Sequence, residues 1–112
     1  MKIDYYSFGK IVINGKTYSR DVIIFPDRVF SPWWRKEGHL LRMEDLVDAV
    51  KEKPGVLVIG QGFSGLMSVP RELVDELRSM GMEVLTSGTT EAVNTFNKLA
   101  GKSVIAALHL TC

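Results

Sequence analysis

Apolar residues along this chain follow two successive periods, and the change falls near residue 42. Before it the pattern is that of short β-strands. Ile11-Val12-Ile13 and Lys16-Thr17-Tyr18 flank Asn14-Gly15, the pair that a type I′ hairpin turn favours because both central residues need positive φ. Residues 2–8 and 20–25 are further β-rich runs, broken by Gly9 and Pro26. Val22-Ile23-Ile24-Phe25 is apolar without interruption, which predicts cover on both faces. Residues 26–42 are the least regular, with room for short strands at Val29-Phe30 or His39-Leu40-Leu41.

After residue 42 the spacing becomes helical. Met43, Leu46, Val47 and Val50 lie at i, i+3, i+4, i+7, and Pro54-Gly55 ends that run. Val56-Leu57-Val58-Ile59 reads as a fully buried strand. Pro70 suits the first turn of a second helix, whose apolar face is Leu73, Val74, Leu77 and Met80 and whose stop is Gly81. Residues 83–86 form a short strand. Thr89 or Thr90 is the expected cap of a third helix, with Val93, Phe96, Leu99 and Ala100 inward and Gly101 at its end. Val104-Ile105-Ala106-Ala107-Leu108 is the last strand. Three apolar strands separated by two helices imply a three-layer α/β single domain over residues 1–112. Its core is a parallel β-α-β-α-β unit, and an N-terminal antiparallel β-hairpin region extends or covers one side of the sheet.

Composition changes this picture little. At 112 residues the chain is one domain of ordinary size, and a net charge of +1 supplies no field for a polyanion, which argues against nucleic acid. Cys112 is the only cysteine, so no intramolecular disulfide forms, and a reducing, cytoplasmic setting is expected. No apolar run reaches membrane-spanning length and no signal peptide is evident, so no membrane partner is expected.

Two stretches hold candidate chemistry. Gly60-Gln61-Gly62-Phe63-Ser64-Gly65 spells the dinucleotide fingerprint. Its third glycine should open a helix at once, yet Leu66-Met67-Ser68-Val69 intervenes before Pro70. Glu83, at about the spacing of the ribose-binding acid, begins its strand instead of ending it. No cofactor is expected. Two readings remain: a tight turn out of a buried strand, or a small-molecule or anion site at the carboxyl end of the sheet. The second would use Gly60, Gln61, Gly62 and Ser64, with His109 and Cys112 beside them. Ser64 lacks the second glycine of a nucleophile elbow, and His39, His109 and Cys112 fall short of a four-ligand structural zinc set. Neither a catalytic residue nor a metal ligand is therefore assigned.

The second stretch is Ser31-Pro32-Trp33-Trp34-Arg35-Lys36. Adjacent residues of an extended segment face opposite sides, so one tryptophan belongs to the core and the other is semi-exposed beside Arg35. Trp33, Trp34 and Arg35 are the candidate partner-binding residues, because Trp and Arg dominate interaction hot spots. A protein partner is expected, and a homodimer is compatible with the exposed aromatic residues.

An early hairpin, a Trp-Arg segment, Leu57-Val58-Ile59-Gly60 with Gly62, then Val69-Pro70 and a terminal His109-x-Thr111-Cys112 follow one another in a recognisable order. Together they resemble a family of small α/β proteins with the MTH nine-three-eight-like fold, which includes the adipogenesis-associated domain protein and a mitochondrial complex I assembly factor. The resemblance spans essentially the whole chain and implies a three-layer domain with no established reaction. The expected role is a non-enzymatic interaction or assembly module, and the alternative is a small-molecule or anion-binding protein, or an enzyme, using the Gly60–Gly65 loop. The matching positions are Trp34, Arg35, Gly60, Gly62, Val69, Pro70, His109, Thr111 and Cys112. The adjacent Trp33-Trp34 pair departs from the relatives, which tend to separate their aromatic residues.

Overall fold

The computed structural model describes residues 1–99 and 103–112. The expected inward Ala100 and terminal Gly101 lie outside them. Three strands, β1 (Ile3–Ser7), β2 (Lys10–Ile13) and β3 (Lys16–Tyr18), form a small antiparallel sheet. Asn14 and Gly15, at φ 49° and 80°, make the hairpin turn that their dipeptide predicted.

The main sheet has five strands: β4 (Val22–Ile24), β5 (Val29–Phe30), β6 (Val56–Gln61), β7 (Glu83–Ser87) and β8 (Val104–His109), ordered β5-β4-β8-β6-β7. β6 pairs parallel with both β7 and β8, which is the expected β-α-β-α-β core. β4 joins antiparallel to β8, pairing Val22 with Leu108 and Ile24 with Ala106. The N-terminal region thus does both things expected of it: one part extends the sheet and the hairpin covers a face. At 39–41 only isolated bridges form, Leu40 to Glu37 and to Ser68, so the alternative strand there is absent.

Helix α2 (Arg71–Ser79) connects β6 to β7, and α3 (Thr89–Lys98) connects β7 to β8. The two crossovers run in opposite directions across the sheet, so right-handedness sends the helices to opposite faces. Side chains of the continuous apolar strands divide between these faces by alternation. Ile23, Leu57, Ile59, Ile105 and Ala107 pack with Leu46, Ala49, Leu73 and Leu77. Val22, Ile24, Val56, Val58 and Ala106 pack with Ile3, Ile11 and Ile13 of the small sheet and with Val93 and Phe96.

Local details differ from the sequence expectations for physical reasons. The first helix opens as a 3-10 turn, Met43–Leu46, before α1 (Val47–Lys51). A 3-10 turn advances each residue by about 120°, which rotates Val47 outward and leaves Leu46 and Ala49 as the buried positions. Pro70 is the N-cap of α2 and not its first residue, and Met80 caps its other end half-exposed. Gly88, not a threonine, caps α3. Thr89 is freed for another task.

Candidate functional site

Asp21 sits one step before β4 and His109 is the last residue of β8, so the antiparallel register that pairs Val22 with Leu108 sets them side by side. Asp21 Oδ2 lies 2.8 Å from His109 Nδ1 and accepts from Arg35 Nη1 at 2.7 Å. Its other oxygen accepts from the Leu110 amide at 2.7 Å. Burial alone would raise the Asp21 carboxyl, but hydrogen bonds from His109, the Leu110 amide and Arg35 outweigh it and hold it below its ordinary value. An ionised carboxylate can only accept, so the hydrogen shared with His109 belongs on Nδ1. Arg35 Nη2 also lies 3.0 Å from that Nδ1; its hydrogen goes instead to the Gly38 carbonyl at 3.1 Å.

The segment that delivers Arg35 is pinned to Asp21 as well. Trp33 donates its amide to the Asp21 carbonyl at 2.9 Å, and Ser31 Oγ donates to the same oxygen at 3.1 Å. Trp33 is buried, its indole N–H donates to the Asp45 carbonyl, and the Arg35 guanidinium stands 4.7 Å from its ring centre. Only 5% of the Arg35 side chain and 7% of His109 are exposed. Arg35 Nε and His109 Nε2 are buried without a hydrogen-bond partner among the described residues. Between Trp33 and Arg35 in sequence stands a contrast: Trp34 is 74% exposed.

Asp21, Arg35 and His109 line a cleft of about 260 Å³, together with Pro32, Trp34 and Thr111. The His39 ring lies 6.2 Å from that of His109, edge to face.

The glycine loop is built differently from the anion-cradle expectation. The amides of Gly62, Phe63, Gly65, Leu66 and Met67 donate to Thr89 Oγ1 and to the carbonyls of Thr111, Gly62, Cys112 and Gln61. Those five donors are therefore committed within the protein. Gly60 allows Thr89 and Leu108 to approach: a Cβ there would lie 2.8 Å from Thr89 Oγ1. Thr89, fully buried, donates its hydroxyl to the His109 carbonyl at 2.6 Å and thereby ties the loop to the end of β8. The Gln61 side-chain amide donates to Met67, Ser64 is exposed, and the half-buried Cys112 contributes its carbonyl.

Of the residues singled out from sequence, then, Gly60, Gly62 and Cys112 do come together, through backbone. The His109 side chain joins Arg35 and Trp33 from the other candidate group. Asp21, which links them, was not anticipated. Its signal was available: an acid directly preceding a strand buried on both faces needs partners for its charge.

Residues 3–109 match the family described as a protein of unknown function (DUF498/DUF598). A conserved hypothetical protein from Pyrococcus horikoshii OT3 is 30% identical over 100% of both chains, with a TM-score of 0.83. A structure from Bartonella henselae, described as an outer membrane protein, is 27% identical over 98% of this chain and 94% of its own, with a TM-score of 0.82. A Mth938-like domain from Bordetella pertussis shares the fold at 20% identity and a TM-score of 0.67, over 97% of this chain and 85% of its own. No helix among the described residues is long and apolar enough to cross a membrane.

Proposed function

The chain belongs to the DUF498/DUF598 family of proteins of unknown function, and we propose that it acts as a non-enzymatic interaction or assembly module that docks another protein through Trp34. One observation carries this. Trp34 is 74% exposed, while the residues on either side of it are locked: Trp33 is 3% exposed and the Arg35 side chain 5%. A surface tryptophan on a mobile loop would lose conformational freedom on docking. Held between two anchored neighbours, Trp34 has much of its backbone freedom already removed, which favours binding.

The surroundings support a docking face. The C-terminal residues run from the cleft to the 60–65 loop, where Phe63 and Phe8, both more than half exposed, meet edge to face at 6.0 Å. Exposed aromatic residues beside a cleft that mixes apolar and charged groups are the composition of an interaction surface. The lone Cys112 supports a reducing compartment such as the cytoplasm as the setting.

A photo-crosslinking amino acid in place of the exposed Lys36 tests this in the source cells, with the same group at Val47 on α1 as control. The expected result is a discrete adduct with another protein from position 36 and none from 47. An adduct with a second copy of the chain would make the partner the chain itself. Equal diffuse labelling at both positions would contradict a docking role for this face.

A further inference from the structure

We propose that the cleft beside Trp34 receives a carboxylate carried on an apolar or aromatic group. The inference rests on the docking role of Trp34 and specifies the chemistry of what docks there. Among the described residues Asp21 is the only acid lining the cleft, and both of its oxygens are already engaged, by His109, Arg35 and the Leu110 amide. Among the described residues two cations line the same cleft. Arg35 is buried, and Arg20 is exposed and makes no ion pair among the described residues. Two arginines against one carboxylate leave one uncompensated positive charge.

That surplus is local to the cleft wall. Outside it, Glu37 pairs with Arg42, Glu44 faces Lys36 at 3.9 Å, and the Asp45 carboxylate, which does not line the cleft, accepts from the Lys36 and Arg42 amides. Among the described residues Arg35 also has a buried Nε–H without an acceptor. A buried donor left unmatched in this way marks a place where an incoming acceptor gains a hydrogen bond the protein itself does not make. One surplus charge matches a singly charged carboxylate better than a doubly charged phosphate. Pro32 and Trp34, which line the same cleft, add apolar surface, so the anion should come attached to an apolar or aromatic body.

Such a carboxylate has two natural sources, a protein segment ending in or containing it, or a free carboxylic acid. A matched pair of probes, N-acetylphenylalanine and its carboxamide, tests the shared chemistry by backbone amide NMR titration of the intact chain. The expected result is saturable shifts at residues 19–21, 34–38 and 109–111 with the acid, at least tenfold tighter than with the amide. Arg20→Gln, at an exposed site, should weaken the acid about tenfold and leave the amide unchanged. Inorganic phosphate should bind no more tightly than the amide. A hexapeptide ending in a free-carboxylate phenylalanine, compared with N-acetylphenylalanine, separates the sources: tighter binding of the peptide assigns a chain terminus, and equal binding assigns a small acid.

Equal affinity of acid and amide, shifts mapping elsewhere, or Arg20→Gln without effect would overturn the inference. That failure is separable from failure of the docking role. If Trp34→Ala loses its protein partner and no carboxylate binds, only the ligand chemistry falls. If carboxylate binds and partner retention is unchanged in Trp34→Ala, the docking role falls.

Discussion

Asp21 Oδ2 and His109 Nδ1 stand 2.8 Å apart across the junction of β4 and β8, although 88 residues separate them in sequence. The pairing closes the fold and shapes the cleft at once. Arg35 and the Leu110 amide complete the environment of the same carboxylate, so the segment bearing Trp34 and the C-terminal residues both hang on one side chain.

Replacing that side chain should therefore be severe. Asp21→Asn leaves the Arg35 guanidinium buried without its counter-charge, a change that costs about 3–5 kcal/mol in comparable buried pairs. Chemical denaturation should show the loss as a lower midpoint. The pH dependence gives a second readout. The Asp21 carboxyl is lowered from 3.8 in the folded state, so its contribution is complete above that value and fades as the pH falls through the folded value. Wild-type stability should drop below about pH 4 more steeply than that of Asp21→Asn.

Thr89 tests the link between loop and strand. Thr89→Val keeps the shape but strands the Gly62 amide and the His109 carbonyl in a buried site. At about 1–3 kcal/mol for each unsatisfied group, a loss of about 2–4 kcal/mol is expected by urea unfolding. Thr89→Ser should recover most of it.

The glycines of the loop should separate into one that cannot change and one that can. Gly62 has φ +103°, and a Cβ there would sit 2.3 Å from the carbonyl carbon of Cys112. Gly65, at φ +70°, has open space around it. Gly65→Ala should lose about 1 kcal/mol, the conformational penalty alone, and Gly62→Ala more than about 3 kcal/mol because the C-terminal residues must move. Parallel urea midpoints of the two variants check the difference.

Tyr6 makes an alkaline counterpart to Asp21. Burial, reinforced by the Asp21 charge and opposed by Thr89, pushes its phenol up to about 12, and its hydroxyl donates to the Leu110 carbonyl at 2.8 Å. A group whose value is raised on folding stabilises fully below its unfolded value of 10.0, and the contribution disappears as the pH climbs towards 12. Tyr6→Phe should lose about 1 kcal/mol at neutral pH. It should also decline less than wild type between pH 10 and 12.

Much of the architecture was legible because the strands carry their environment in their composition. Val56-Leu57-Val58-Ile59 and Val104-Ile105-Ala106-Ala107-Leu108 have no polar face, so both sides had to be covered, and the helices between them fixed parallel pairing. Asn14-Gly15 announced its turn. The junction of β4 with β8 was not legible, because the 22-to-108 register comes from tertiary packing and leaves no local signal. Without that register Asp21 was an isolated acid, and the approach of the His109 side chain to Arg35 left no trace in the sequence. The Thr89 side chain was misread for a related reason: a threonine at a helix start suggests a cap, whereas its hydroxyl reaches across to the His109 carbonyl.

The pair Trp33-Trp34 was resolved as alternation predicts, one residue inside and one out, and it gives the most direct test of the proposed role. Trp33→Ala should lose about 3–5 kcal/mol, whereas Trp34→Ala should unfold within about 0.5 kcal/mol of wild type. Wild type, Trp34→Ala and Val47→Ala are then each purified natively from the source cells, and the co-purifying proteins quantified. The expected result is one or more stoichiometric partners held by wild type and Val47→Ala and lost from the folded Trp34→Ala. Retention of the same partners in the same amounts by Trp34→Ala would contradict Trp34 as the docking anchor.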